Sequence, residues 1–167
     1  MAEEQNITKE SFDTLNLKEN LLRGVYSYGF ENPSYIQTKS VPVMVNGDDL
    51  IAQAQSGTGK TGAFVMGALQ KVNEEEKSTQ ILIISPTHEL VHQSYEVISE
   101  ISKYMDVSSL KVIGGTNVND CKQELNSNPQ IIMGTPGRVL DMIQRKYLFT
   151  DKITTFILDE ADEILSQ

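Results

Sequence analysis

With 167 residues, 39% of them hydrophobic and 22% charged, the chain can bury one globular core and is too short for two ordinary domains. Its formal net charge of −9 excludes a binder that meets phosphate backbones with an overall basic surface. Any nucleic-acid site must be local, made of backbone N–H groups, helix N-termini and a few placed cations. Cys121 is the single cysteine and no Cys/His cluster has zinc spacing, so neither an internal disulfide nor a structural zinc site is expected, and a reducing intracellular setting is. No apolar run has the length of a membrane span, and the opening "MAEEQNITKE" lacks the basic and then apolar regions of a secretory signal. A cytoplasmic location is expected, with the nucleus as the alternative.

In chain order, "LKENLLRGVYSYG" reads as a helix stopped by a left-handed Gly29, and "NPSYIQTKSVPVMVNG" as a second, kinked near Pro42 and ended by Gly47. Five β-branched runs follow: "DLIAQ" at 49–53, "ILIIS" at 81–85, "LKVIGG" at 110–115, "QIIMG" at 130–134 and "TTFILDE" at 154–160. They read as strands, mostly buried on both faces. The acidic "NEEEK" at 73–77 reads as a solvated loop. "ELVHQSYEVISEISKYM" carries Leu90, Ser94, Val97, Ile101 and Tyr104 on one stripe, as an amphipathic helix does. "TPGRVLDMIQRK" starts with Thr135 as N-cap and Pro136 at the first helical position, and is expected to bury Val139, Leu140, Met142 and Ile143. Strands alternating with helices predict an α/β domain with a mainly parallel sheet, covered on both faces, whose ligands bind at the carboxyl ends of the strands.

The chemistry gathers at those ends. "AQSGTGKT", 54–61, fits the phosphate-loop spacing except that Ala54 stands where the first glycine would be. Gln55, Ser56, Gly57, Thr58 and Gly59 would let successive N–H groups close around β- and γ-phosphates, with Lys60 adding a cation and Thr61 a hydroxyl for Mg²⁺. The alternative is a glycine-rich turn that only joins a strand to a helix; the order of strand, loop, Lys-Thr and helix favours the cradle. In "FILDEAD", Asp159 stands where a carboxylate would hold the metal, in part through water, and Glu160 where one would orient or deprotonate an attacking water. Acids after an apolar run also suit a helix N-terminus, and the two roles are compatible.

These residues resemble the DEAD-box RNA helicases. "DEAD" at 159–162 is the motif that names that family, and "AQSGTGKT" is its usual phosphate loop, alanine included. "GFENPSYIQ", 29–37, looks like the Q motif, with Phe12 where the family carries an isolated upstream aromatic. "PTHEL" at 86–90, the pair Gly114–Gly115 and "TPGR" at 135–138 look like its RNA-contacting motifs, and the wording of "NLKENLLRGVYSYGFENPS" is closest to the translation-initiation branch. The resemblance implies a three-layer RecA-like P-loop NTPase domain at 48–167, preceded by an N-terminal helical segment with the Q motif at 1–47. It implies ATP as substrate with Mg²⁺ on Thr61 and Asp159, and Lys60, Asp159 and Glu160 as the catalytic set. Gln37 would read adenine, for which a side-chain amide has the right donor and acceptor, and Phe12 would stack on the base. The other reading of Phe12 is a small hydrophobic cluster with Leu15 and Leu17.

RNA, single-stranded or duplex and read without sequence preference, would be met by Pro86, Thr87, His88, Gly114, Gly115, Thr135, Pro136, Gly137 and Arg138. His88 departs from the family's usual arginine and offers no guanidinium fork, so contact through this motif is expected to weaken at neutral pH. A monomer, with a protein scaffold of the translation-initiation type as partner, is expected. The chain stops before the family's Ser-Ala-Thr motif, the last strand or strands of this domain, its second domain and its arginine finger, so a C-terminally truncated domain that binds ATP and turns it over slowly or not at all is expected. Two other readings remain: another P-loop NTPase, disfavoured because no Asn-Lys-x-Asp guanine-reading segment is present, and a module that binds ATP, RNA or protein without turnover.

Overall fold

The computed structural model describes residues 11–166. After a short 3-10 turn at Phe12–Leu15 come α1 (Glu19–Tyr28), α2 (Tyr35–Asn46), α3 (Lys60–Lys71), β1 (Ile81–Ile84), α4 (His88–Ile101), β2 (Ser109–Val112) and α5 (Val118–Leu125). The chain continues through β3 (Ile131–Gly134), α6 (Pro136–Gln144), β4 (Thr155–Leu158) and α7 (Ala161–Leu165). The four strands form one sheet in the order β2-β3-β1-β4, every pair parallel.

Side-chain alternation along the strands divides the core into two layers. Ile81, Ile83, Ile131 and Met133 face α1, α3 and α4, in a cluster with Leu21, Val25, Val41, Met66, Leu69, Ile98 and Ile101. Leu82, Ile84, Val112 and Ile132 face α5 and α6, packing with Cys121, Leu125, Val139 and Met142. The helices at the start of the chain therefore share the core of the sheet's first face. Gly29 and Gly47 end α1 and α2 in the left-handed conformation, as their positions suggest, and Pro42 sits inside α2 without ending it.

Four of the five expected strands form. The fifth, 49–53, does not: the segment pairs with no strand, and Ile51 is fully exposed. A strand exists only through a neighbour's ladder. Among the described residues β4 pairs with β1 alone, and no strand carries a ladder to residues 49–53. β1 and β3 lie between neighbouring strands and are buried throughout, while β2 and β4 are the two edges, and Phe156 and Leu158 on β4 stay exposed. Helix α4 buries Val91, Ser94, Ile98 and Ile101, a stripe rotated from the expected one by about one residue at its start, and in α6 Leu140 is exposed instead of buried.

The contact between α1 and α4 explains a glycine that helix propensity would remove. A Cβ on Gly24 would lie 1.7 Å from the carbonyl oxygen of Ile101 at the end of α4. Alanine in a helix is ordinarily favoured over glycine by up to about 1 kcal/mol. Here Gly24→Ala should instead destabilise by about 1–3 kcal/mol through overpacking, read as a lower urea midpoint; an unchanged or higher midpoint would show that α1 can move off α4.

Candidate nucleotide and nucleic-acid site

The register of the sheet sets the site. Ile84, Gly134, Leu158 and Val112 stand level at the carboxyl ends of their strands. The segments that follow them, 85–88, 113–116, 135–138 and 159–160, therefore emerge on one edge, together with the phosphate-loop residues 54–61, which Lys60 joins to Glu160. A cavity of about 330 Å³ lined by Ser78, Leu125, Tyr147, Phe149 and Lys152 lies at the opposite end of the strands, and none of the candidate residues lines it.

The loop 54–59 leads into α3, whose N-cap is Gly59 at φ 96°; Gly57 is also left-handed, at φ 78°. Gly59 is required twice over. Its φ is one that side chains resist, and a Cβ there would come within 2.7 Å of Ser34 Oγ and 2.8 Å of Gln37 Nε2. Within the loop the Thr58 hydroxyl donates to the Gln55 carbonyl at 2.6 Å. No side chain caps α3, so the N–H groups of its first turn can meet an anion.

Gln37, only 2% exposed, holds the loop from behind. Its Oε1 accepts from the Ser34 N–H at 2.9 Å, closing a capping box at the start of α2, and its Nε2 donates to the Gly59 carbonyl at 3.2 Å. One amide hydrogen and one lone pair remain for a further partner.

Phe12 is fully buried, stacked on Phe30 with ring centroids 6.0 Å apart and meeting Tyr26 edge-on at the same distance. In this arrangement the ring belongs to the core, with Leu15 and Leu17 in the same cluster, and offers no face to a base. Burial of so large an apolar side chain, worth about 1.5–3 kcal/mol, opposes its release.

Across the site, Lys60 Nζ lies 3.3 Å from Glu160 Oε1. Glu160 is left-handed at φ 50°, ψ 51°, an unfavourable backbone for a side-chain-bearing residue of the kind that accumulates at functional sites. Ser85, at the end of β1, donates its hydroxyl to Asp159 Oδ2 at 3.4 Å. The Asp159 carboxyl is held above the usual aspartate range, first by burial and then by the neighbouring Glu160, against the opposing pull of Lys60 and the Ser85 hydroxyl. A half-buried carboxylate on the same edge as a threonine-bearing phosphate loop is a hard-oxygen donor set. No group of three or more His, Cys, Asp or Glu could hold an ion among the described residues. A hard-oxygen donor set of this kind fits Mg²⁺, which takes one or two carboxylates and completes its shell with water and substrate phosphate.

The remaining segments touch one another. Thr87 N-caps α4, its hydroxyl accepting from the Leu90 N–H at 3.3 Å, while His88 and Thr87 are exposed. His88 packs toward Gly114: a Cβ on that glycine would stand 3.6 Å from the imidazole Nε2. Gly115 turns left-handed at φ 80°. Arg138 donates from Nη1 to the Thr116 hydroxyl and from Nη2 to the Thr116 carbonyl, both at 2.9 Å, tying the start of α6 to the glycine turn. Thr116 has no motif to announce it; only the fold identifies it as the anchor of Arg138. Thr135 is the N-cap of α6 with Pro136 at its first position, but its side chain caps nothing, which leaves the N–H groups of Gly137 and Arg138 for an external acceptor.

Comparison with known proteins agrees with this geometry. Residues 34–167 match the DEAD/DEAH box helicase family model. The chain is 52% identical over 160 residues to a protein named ATP-dependent RNA helicase eIF4A from Phaeosphaeria nodorum, covering 96% of this chain and 40% of that one. It is 54% identical over 155 residues to the protein of the same name from Candida albicans, covering 93% and 39%. The fold is close to Saccharomyces cerevisiae Dbp5 solved with RNA and ADP BeF3, at 40% identity and TM-score 0.86, covering 95% of this chain and 40% of that one. The chain thus spans about 40% of the length of these relatives. A parallel α/β sheet with this site defines a RecA-like P-loop domain, and the chain belongs to the DEAD/DEAH box helicase family.

The raised Asp159 pKa has a sign that can be checked. The unfolded chain releases this proton at lower pH than the folded one, so ionisation of Asp159 opposes folding once the pH passes the ordinary aspartate value, and has no effect in more acid solution. Asp159→Asn should therefore raise Tm near pH 7 in the absence of nucleotide, with the gain shrinking as pH falls toward about 4. A lower Tm at pH 7 would mean that the ionised carboxylate contributes to the fold.

Proposed function

We propose that this chain is the first ATPase domain of an ATP-dependent RNA helicase, with residues 48–167 as the RecA-like unit and 1–47 as the Q-motif segment. The observation that carries the reading is the Lys60–Glu160 contact at 3.3 Å, which joins the phosphate loop to the acids that end β4 across one hundred residues of chain. The β- and γ-phosphates of ATP would lie on the N–H groups of 54–59 and the first turn of α3, and Lys60 would leave Glu160 for a phosphate oxygen. That exchange frees the Glu160 carboxylate to orient a water and accept its proton. Thr61 and Asp159 would hold Mg²⁺, which when bound neutralises charge on the phosphates. Gln37 would turn its remaining donor and acceptor to adenine.

Turnover by the chain alone should be slow. A transition-state arginine contributes roughly 10³ to 10⁵ in related reactions, and the chain's three arginines are engaged elsewhere. Arg23 lies over Tyr104 at 4.0 Å, Arg138 is tied to Thr116, and Arg145 pairs with Asp141. Single-stranded RNA would run over 86–88, 114–115 and 135–138, met mainly by backbone groups and Arg138, so sequence preference should be weak. The similarity to proteins named eIF4A supports cytoplasmic work in translation initiation, on a protein scaffold, with duplex unwinding or clamping as the action of the longer protein. No helix among the described residues is long and apolar enough to cross a membrane.

Thermal shift tests the nucleotide site. At a hundredfold excess over its Kd, Mg-ATP should stabilise the unaltered chain by about 2.7 kcal/mol. Lys60→Ala should lose this shift and Glu160→Gln should keep it while blocking any turnover. Normal Mg-ATP binding by Lys60→Ala would mean that the phosphate-loop assignment is wrong.

His88→Arg should tighten single-stranded RNA binding at neutral pH, because a guanidinium carries its charge and its fork of donors at every pH of interest. Titration of labelled RNA with the two proteins reads this directly; equal affinities would remove His88 from the RNA surface.

A further inference from the structure

The strip that begins at His88 and Gly114 continues for one more helical turn. His92 lies one turn along α4 and is exposed; Lys111, on β2 three residues before Gly114, approaches it with Nζ 2.9 Å from His92 Nδ1. The ammonium also stands over the Tyr95 ring, 4.7 Å from its centroid. An ammonium can only donate, so the imidazole accepts through Nδ1 and carries its proton on Nε2, leaving that N–H as a donor on an exposed ring. Each of the four ion pairs among the described residues involves other side chains, so Lys111 meets an imidazole and an aromatic face where a carboxylate would be the ordinary partner. In a chain with 23 acidic and 14 basic side chains, no carboxylate among the described residues holds this ammonium in an ion pair.

We propose that Lys111 and His92, with Tyr95 fixing the ammonium, form an additional phosphate subsite that lengthens the RNA path down the outer face of α4, beyond the glycine pair. The occupant is the sugar-phosphate backbone of single-stranded RNA. Charge complementarity requires an anion. Continuity selects the same strand: α4 presents His88 to Gly114 and, about 6 Å further along, His92 to Lys111. The donors are point-like and contact no base edge, so the subsite adds affinity and no sequence preference. This inference rests on the RNA-binding reading above.

Fluorescence anisotropy with labelled single-stranded oligouridylate, taken over a series of KCl concentrations in the presence of Mg-ATP, separates the two. Each lysine–phosphate contact on a single strand contributes about 0.7 to the slope of log K against log salt. Lys111→Ala should reduce the slope by about that amount and weaken binding about fivefold near 0.1 M salt. His92→Ala should weaken it less, and Lys111→Arg should restore both slope and affinity. Lys152→Ala, the same change in net charge at the opposite end of the strands, should leave the slope unaltered, and an unshifted Tm for Lys111→Ala shows that the fold is intact. If Lys111→Ala and Lys152→Ala behave alike while Arg138→Ala weakens binding, the added subsite is overturned and the RNA surface stands. If the unaltered chain does not bind the oligonucleotide in a salt-dependent way, both fall.

Discussion

Parallel pairing in a common register is the constraint on which the rest of the structure depends. Because Ile84, Gly134, Leu158 and Val112 end level, the chain must leave the sheet four times on the same edge. Parallel strands also force each return through a helix or long connection on a face. The edge is thereby reserved for short polar segments: a serine and a cap after β1, a glycine turn after β2, a second cap after β3 and two acids after β4. Chemistry accumulates there because the hydrophobic layers leave no other place for polar backbone.

Within that edge the proposed nucleotide site is internally satisfied. Gln37 caps its own helix and braces the Gly59 carbonyl, and Lys60 pairs with Glu160. A ligand must replace these contacts, so its affinity is the difference between new interactions and those given up. The arrangement also keeps Lys60 and Glu160 from remaining unpaired in a partly buried place, which would cost more than the pair does. A left-handed Glu160 and a half-buried Asp159 with a raised pKa are both unfavourable to the fold alone. Such features persist where a bound cation and phosphate relieve them.

Legibility in the sequence followed the range of the interaction. The phosphate-loop spacing, the acids of "FILDEAD", the N-cap position of Thr135 and the stops Gly29 and Gly47 are local chemistry, readable from spacing. The segment 49–53 has the composition of a strand, but a strand depends on a neighbour that composition does not supply. By sequence Phe12 suits two roles, because an isolated aromatic fits a base and a core equally; its stacking on Phe30 and edge-on contact with Tyr26 are tertiary facts. The α4 stripe was misplaced at its start because Leu90 and Val91 are interchangeable by hydropathy, and only the sheet decides which faces inward. Thr116 and Lys111 were not singled out, since their significance comes from Arg138 and His92, which the fold brings to them.

An acidic chain that is to bind two polyanions, as proposed above, has to confine its attraction. The net charge of −9 repels nucleic acid at long range, while screening at physiological salt limits that repulsion to about 8 Å. Local donors can therefore act at contact distance without a basic surface. At the strand ends those donors are backbone N–H groups, which carry no net charge, supplemented by Lys60 at the phosphate loop and Arg138 at the glycine turn. Neither cation is idle in the absence of ligand: one is held by a carboxylate and the other by a threonine. Lys111 differs in having only an imidazole and a π-face for company. On the RNA-binding reading, such a division would keep affinity for a phosphate backbone low until the strand lies in register with the edge, where several weak contacts form together.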